Sequence, residues 1–213
     1  MTFNKDEILD MFKDFKFLNP TFDDTRVDEL TLYLYDKGYI FNYEFGATKL
    51  VIIPRNKDYV IKIPFQGAYY GNEFCNFVNA GLDYEWDYCN VEVERYDDIY
   101  STCFKDCFAE TIFIGYANHY PIYLQEKCIP FNDSYNKIKE KRKIMCSFLY
   151  KNNHRYGINP DWCIDLLKYY GPKKFKEFIV LIKDLRWDDD LTYDNVGYKD
   201  GRPIIIDFSG FRE

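Results

Sequence analysis

Residues 188 to 210 read Asp188-Asp-Asp-Leu-Thr-Tyr-Asp-Asn-Val-Gly-Tyr-Lys-Asp-Gly-Arg-Pro-Ile-Ile-Ile-Asp-Phe-Ser-Gly210, and this stretch contains the pattern that most strongly predicts the fold. Asp190 precedes Asn195 by five residues, and Asp200-Gly201 marks a two-residue turn that predicts a β-hairpin. An apolar run after the turn leads directly into Asp207. The pattern therefore brings two carboxylates and a carboxamide to the edges of one small hairpin. Such oxygen ligands suit a hard divalent cation, and magnesium in proteins usually accompanies the phosphates of a nucleotide.

Three upstream segments add to this signal. The segment Tyr59-Val-Ile-Lys-Ile-Pro64 predicts a strand that carries Lys62 among β-branched residues. Residues 40–54 predict a strand, a turn at Phe45-Gly-Ala-Thr-Lys49 and a second strand. Residues 121–128 predict a strand that leads into a polar segment.

In this order the segments resemble the protein-kinase family. The catalytic loop of that family ends D-x-x-x-x-N, and a strand then leads to the metal-binding D-F-G. Here the last motif is Asp207-Phe-Ser-Gly210, with one extra residue, and Tyr59–Pro64 resembles the V-A-I-K strand. The resemblance covers roughly residues 40 to 210. It identifies the chain as similar to a minimal, C-terminally shortened kinase-like protein of bacterial or phage type.

The resemblance implies an α+β, two-lobed kinase-like fold in three parts. Residues 1–38 would form an N-terminal helical extension, residues 39–128 an N-lobe built on an antiparallel sheet, and residues 129–213 a reduced, mostly helical C-lobe. The C-lobe would carry the catalytic loop and the D-F-S-G motif.

Sequence periodicity predicts further elements. An amphipathic helix is expected over residues 4–17, with Asn4 as its cap, and a second from about 24 to 37 that ends at Gly38. Residues 66–82 predict a loop or insertion. The remaining expectations are a helix over 84–103, a hairpin of 108–115 with 120–126 and Asn118-His119 near its turn, and helices over 136–151, 160–170 and 173–187.

The resemblance also implies a role for each candidate site residue. Asp190 would orient or deprotonate the attacking hydroxyl, Lys62 would neutralise phosphates, and Asn195 and Asp207 would hold Mg²⁺. The nucleotide would be ATP, covered by the turn and paired with the backbone after the last N-lobe strand; these residues are Gly46, Ala47, Thr48, Gln125, Glu126 and Cys128.

A glutamate on the helix over 84–103 is expected to pair with Lys62. Glu92 is favoured because it shares a helix face with Cys89 and Ile99, whereas Glu94 lies on a polar face. Glu73, in the preceding segment, is a further alternative.

The sequence departs from the family pattern near Asp190. Asp188 and Asp189 replace the usual histidine and arginine, and Thr192 stands where the family has a lysine that assists the γ-phosphate. Only three residues follow Gly210, so the activation segment and later helices of protein kinases are not in the sequence. Three functions stay open: a phosphotransferase acting on a protein or small-molecule hydroxyl, a catalytically weak pseudokinase that binds nucleotide and regulates a partner, and a kinase-like enzyme that transfers AMP.

Composition and net charge limit the classes of partner that the protein is expected to bind. The 213 residues carry a formal net charge of −7, and the pI is about 5.0, which argues against nucleic acid as the main partner. The seven cysteines lack the paired spacing of a zinc site and are expected to be reduced thiols. Neither a signal peptide nor an apolar run of membrane-spanning length is apparent, so the sequence predicts a cytoplasmic protein without a membrane partner.

Overall fold

The fold is α+β. A computed structural model describes residues 1–39, 41–70, 73–76, 87–131, 139–151, 159–184 and 191–209. The chain divides into two compact units: Met1–Glu94 with Glu110–Lys127, and Arg95–Ala109 with Cys128–Glu213. Within the described ranges, no helix is both long and apolar enough to cross a membrane.

The first unit is built on a five-stranded antiparallel sheet with strand order β1-β2-β3-β7-β6. A separate two-stranded hairpin, β4-β5, follows β3 in the chain. The elements are α1 (Lys5–Asp10), α2 (Val27–Asp36), β1 (Phe41–Phe45), β2 (Lys49–Pro54), β3 (Tyr59–Pro64), β4 (Gly67–Tyr70), β5 (Glu73–Asn76), the beginning of α3 (Tyr88–Tyr100), β6 (Thr111–Ala117) and β7 (Tyr120–Glu126).

Alternation along the strands gives this sheet two chemically different faces. Successive side chains of a strand point to opposite sides, and residues paired across two antiparallel strands share a side. One face is apolar and packs with α1, α2 and the segment between them; its residues include Leu50, Ile52, Ile61, Ile63, Ile122 and Leu124. The opposite face carries the polar residues Lys49, Lys62, Thr111 and Gln125.

The N-terminal segment differs from its predicted form. Asn4 caps α1 as expected, because its side-chain oxygen accepts hydrogen bonds from the N–H groups of Asp6 and Glu7. The helix ends at Asp10 rather than near residue 17. Residues 11–14 form tight turns, and Phe12 and Phe15 are buried in the same core as the sheet. Aromatic packing in this core therefore replaces the continuous helix that the periodicity predicts.

Two other expectations for the first unit have opposite outcomes. The turn Asn118-His119 between β6 and β7 is confirmed, with positive φ angles of 46° and 66° at exposed residues. The prediction of a loop over residues 66–82 is wrong in part, because β4 and β5 form a hairpin there. Residues 77–82 lie outside the described residues.

The second unit combines the later part of α3 with helices and a three-stranded antiparallel sheet of order β10-β9-β8. Its core holds the fully buried side chains of Trp162, Phe178 and Phe208. The elements are β8 (Ile129–Pro130), α4 (Lys139–Lys151), α5 (Pro160–Asp184), β9 (Val196–Lys199) and β10 (Arg202–Ile205).

The break predicted between residues 170 and 173 is confirmed within α5. Gly171 has a φ of 79° and a ψ of 168°, which are not helical, and Pro172 follows it. Glycine adopts this backbone conformation without the steric cost that a side chain would add. The helical residues on either side of Gly171 contribute Trp162, Phe175 and Phe178 to one core.

The hairpin β9-β10 is confirmed, with positive φ angles of 50° at Asp200 and 77° at Gly201. Gly197 in β9 is a point of close backbone approach, because a Cβ atom there would overlap the carbonyl oxygen of Ile129 in β8.

We expect Gly197→Ala to lower the free energy of unfolding by about 1–3 kcal/mol, since the added methyl group forces β8 away from β9. Gly46→Ala is the matched control, because a Cβ atom at residue 46 meets no atom within 4 Å. Urea unfolding of both variants measures the difference. Equal stability of the two variants would contradict the close approach of β8 and β9.

Candidate active site

An ion pair joins β3 to α3 in the first unit. The Lys62 ammonium group lies 2.6 Å from Glu92 Oε2. Glu92 is the glutamate that the helix-face argument favours over Glu94, and the expected pair is confirmed. Glu94 is exposed and accepts a hydrogen bond from the Asn90 carboxamide. Glu73 begins β5.

A second lysine contacts the same carboxylate. The Lys49 ammonium group lies 2.6 Å from Glu92 Oε1. Lys49 is the first residue of β2, and the register pairs it with Pro64, two residues beyond Lys62 on β3. This spacing puts both lysines on the same face of the sheet. Glu92 therefore holds one ammonium group at each of its oxygens.

The charged cluster of Lys49, Lys62 and Glu92 is buried. The side chain of Glu92 has no exposed surface, and those of Lys49 and Lys62 are 5% and 4% exposed. Moving such ions out of water costs several kcal/mol each, so their mutual attraction mainly offsets that cost. The geometry holds the Lys62 ammonium group in one position relative to α3.

Polar neighbours extend the cluster along β7 and β6. The Gln125 carboxamide donates a 2.8 Å hydrogen bond to the Thr111 hydroxyl and lies 3.4 Å from Glu92 Oε2. Its side chain thus belongs to the charged cluster, whereas the sequence predicts only a backbone role for Gln125 in adenine binding.

Asp87 is a buried carboxylate immediately before α3. Its oxygens accept hydrogen bonds from the N–H groups of Cys89 and Asn90, at 2.8 and 3.1 Å, and from the Tyr123 hydroxyl at 2.6 Å. Burial raises the pKa of Asp87 to about 6, against the lowering effect of the hydrogen bonds and of the nearby Lys49 charge. Burial likewise raises the pKa of the Tyr123 hydroxyl, so that group acts as the hydrogen-bond donor.

The raised pKa of Asp87 makes stability depend on pH. The folded protein binds this proton more tightly than the unfolded chain, whose pKa is near 3.8. The stabilising contribution is therefore fully present below the unfolded pKa and declines as pH rises to about 6. A difference of roughly two pKa units corresponds to about 3 kcal/mol.

We expect Asp87→Asn to remove this dependence while it keeps an oxygen that can cap α3. The free energy of unfolding of the variant, relative to the wild type, should rise by up to about 3 kcal/mol between about pH 4 and pH 7. Urea unfolding across that range measures the difference. Asp97→Asn, an exposed change on the same helix, is the control. Parallel pH profiles for wild type and Asp87→Asn would contradict a buried, titrating Asp87.

The turn between β1 and β2 contains the predicted phosphate-covering residues. The Gly46 N–H donates to the Lys49 carbonyl oxygen at 3.2 Å, and the Thr48 carbonyl oxygen accepts from the Phe65 N–H at 2.8 Å. Gly46 and Ala47 are exposed, and Thr48 is half-buried. The turn directly precedes Lys49 and therefore lies next in the chain to the charged cluster.

The predicted adenine-binding segment lies at the end of β7. The Glu126 N–H donates to the Glu110 carbonyl oxygen at 2.8 Å, so this group is committed to the sheet and would not be a donor to a base. The half-buried Cys128 begins the next stretch, between β7 and β8.

The predicted metal ligands lie together in the second unit. The Asn195 carbonyl oxygen accepts hydrogen bonds from the N–H groups of Ile206 and Asp207, at 2.8 and 3.2 Å. Asp207 Oδ1 accepts a 2.8 Å hydrogen bond from the Ser209 hydroxyl. Phe208 is fully buried, with its ring 5.5 Å from that of Phe108, and this packing anchors the motif.

Asn195 and Asp207 are both half-buried and offer the hard oxygen donors that Mg²⁺ takes. No cluster of three or more His, Cys, Asp or Glu suited to a metal occurs in the described parts of the chain. This does not conflict with magnesium, which is usually bound through one or two carboxylates together with substrate phosphates and water. Asp190 lies outside the described residues.

Four polar residues in and around the charged cluster were not predicted from the sequence: Lys49, Asp87, Thr111 and Tyr123. For Lys49 a signal existed, since it stands two residues before Val51, which pairs with Lys62. Recognising it required the register between β2 and β3, which the turn residues alone do not define.

Comparison with known proteins does not assign the chain to a family. No protein-family model matches it, and no curated protein matches it.

Proposed function

We propose that the protein is an ATP- and Mg²⁺-dependent phosphotransferase with a two-lobed, kinase-like arrangement, acting on a protein or small-molecule hydroxyl. The observation that carries the proposal is the buried ion pair between Lys62 and Glu92. A strand lysine held by a helix glutamate is the arrangement that positions a lysine on nucleotide phosphates in protein kinases.

Two further observations support the proposal. The five-stranded antiparallel sheet contains both the Lys62 strand and the strand that precedes the predicted adenine-binding segment. Asn195 and Asp207, which stand at the metal-binding positions of the family motif, are neighbours through backbone hydrogen bonds. The proximity of Asn195 and Asp207 agrees with the hairpin that the short motif predicts. Lys62 and Glu92 are 30 residues apart, so their contact depends on how β3 and α3 pack and is independent of that motif.

The residues would divide the chemistry between them. Lys62 would neutralise phosphate charge, with Glu92 fixing the position of its ammonium group. Asn195 and Asp207 would hold Mg²⁺, which supplies charge neutralisation at the phosphates when bound. Asp190 would orient the acceptor hydroxyl and accept its proton.

Nucleotide binding is the first test. We expect millimolar Mg-ATP to raise the melting temperature by several degrees, because a ligand present at 100 times its Kd stabilises the folded state by about 2.7 kcal/mol. Lys62→Met should abolish most of the shift, whereas Lys57→Met should retain it, since Lys57 is exposed in the turn between β2 and β3. A wild-type protein that Mg-ATP does not stabilise would refute the proposal.

The position of the label in ATP then distinguishes the reactions. We expect transfer from γ-labelled ATP to the protein itself or to an acceptor in a host-cell lysate. Transfer from α-labelled ATP would instead identify an AMP transferase. Binding without transfer of either label would identify a pseudokinase.

A further inference from the structure

Lys49 is a buried cation that the kinase resemblance does not explain. Its ammonium group contacts one oxygen of Glu92, and the Lys62 ammonium group contacts the other, both at 2.6 Å. One carboxylate thus directly contacts two ammonium groups, and both lysine side chains are at least 95% buried.

The second nearby carboxylate has other hydrogen-bond donors. Asp87 attracts Lys49 electrostatically. Its oxygens accept hydrogen bonds from the Tyr123 hydroxyl and from the first N–H groups of α3. Glu92 contacts both Lys49 and Lys62 directly.

Such an arrangement is costly for folding alone. Each buried ammonium group loses its hydration, and ion pairing inside a protein often does no more than offset that loss. Residue 49 lies at the start of a strand continuing as Leu50-Val-Ile-Ile, where an apolar side chain would avoid this cost. Buried charges held against such a cost are concentrated at functional sites.

We propose that Lys49 is a second phosphate-binding residue, which together with Lys62 forms a dibasic site for the polyphosphate chain of a nucleotide. The inference rests on the proposed function for the identity of the ligand. A phosphate oxygen replaces a Glu92 oxygen as the partner of one ammonium group, and the other lysine keeps its ion pair with Glu92. The flexible four-carbon side chain of lysine allows this exchange without movement of the strands.

The position of Lys49 fits this role. It follows directly after the turn of Gly46, Ala47 and Thr48 in the chain, so a phosphate covered by that turn would lie near Lys49. Lys49 also supplies a positive charge in a sequence that has Thr192 where the kinase family has its γ-phosphate lysine.

Isothermal titration calorimetry with inorganic tripolyphosphate, and separately with Mg-ATP, tests the inference on Lys49→Met, Lys62→Met and Lys57→Met. We expect Lys49→Met to raise the Kd of tripolyphosphate at least about tenfold, the effect of one lost charge-assisted contact. Its melting temperature without ligand should not fall below that of the wild type, because an apolar side chain replaces a buried ammonium group and the Lys62–Glu92 ion pair remains. Lys49→Arg should recover part of the affinity, and Lys57→Met should bind as the wild type does.

The outcomes separate this inference from the proposed function. Wild-type affinity of Lys49→Met for both ligands, with loss of binding in Lys62→Met, would overturn the role of Lys49 and leave the proposed function in place. Tripolyphosphate binding that depends on Lys49, without Mg-ATP binding, would support the dibasic site and refute the proposed function. Wild-type protein that binds neither ligand would overturn both.

Discussion

Glu92→Gln is expected to lower the free energy of unfolding by about 3–5 kcal/mol, because it leaves two buried ammonium groups without their shared carboxylate. Removing one member of a buried ion pair destabilises a protein far more than the intact pair stabilises it. Urea unfolding followed by circular dichroism measures it.

Two control variants make this test specific. Glu94→Gln lies on the same helix but is exposed, so we expect a change of less than about 0.5 kcal/mol. In the double variant Lys49→Met with Glu92→Gln, only Lys62 is left without the carboxylate, so the loss should be smaller than in Glu92→Gln alone. Stability of Glu92→Gln within about 1 kcal/mol of the wild type would mean that the cluster is not charged as described.

Asp190→Asn is expected to lower phosphate transfer by about 10²- to 10⁴-fold, the usual contribution of a general base. Mg-ATP affinity should stay nearly unchanged, because the proposed role of Asp190 concerns the acceptor hydroxyl. The rate of transfer from γ-labelled ATP and the Kd from calorimetry measure the two effects separately.

Asp207→Asn is the comparison for Asp190→Asn. It removes a charged oxygen ligand from the cation, so we expect weaker nucleotide binding. A higher Mg²⁺ concentration should restore part of the lost affinity. Equal losses of affinity in the two variants would contradict the separate roles of base and metal ligand. Full transfer activity in Asp190→Asn would remove Asp190 from the proposed site.

Local patterns predicted most of the elements. The hairpin β9-β10 and the turn Asn118-His119 were predictable because glycine, asparagine and aspartate favour the positive φ angles that such turns require. The strand Tyr59–Pro64 was predictable from its β-branched residues, and the break at Gly171 from the glycine followed by Pro172.

The elements that the sequence misjudged depend on packing. Periodicity over residues 4–17 fits one helix, but α1 ends at Asp10 and Phe12 and Phe15 enter the core after tight turns. The glycine- and aromatic-rich segment after β3 has no clear period, and its hairpin of β4 and β5 depends on pairing between the two strands. Contacts between segments override local preference in both places.

Local sequence patterns were enough to predict the strands β1 to β3, β6, β7, β9 and β10 and the turns Asn118-His119 and Asp200-Gly201, because each depends on neighbouring residues. The resemblance to kinases implied that Lys62 pairs with a helix glutamate, and the helix face then favoured Glu92. The contact of Lys49 with Glu92 depends on the tertiary structure. Lys49 and Glu92 are 43 residues apart, and their contact follows from the register of β2 on β3 and from the position of α3 against that face. Long-range ion pairs of this kind are fixed by sheet register and burial, which are properties of the folded chain and not of any short motif.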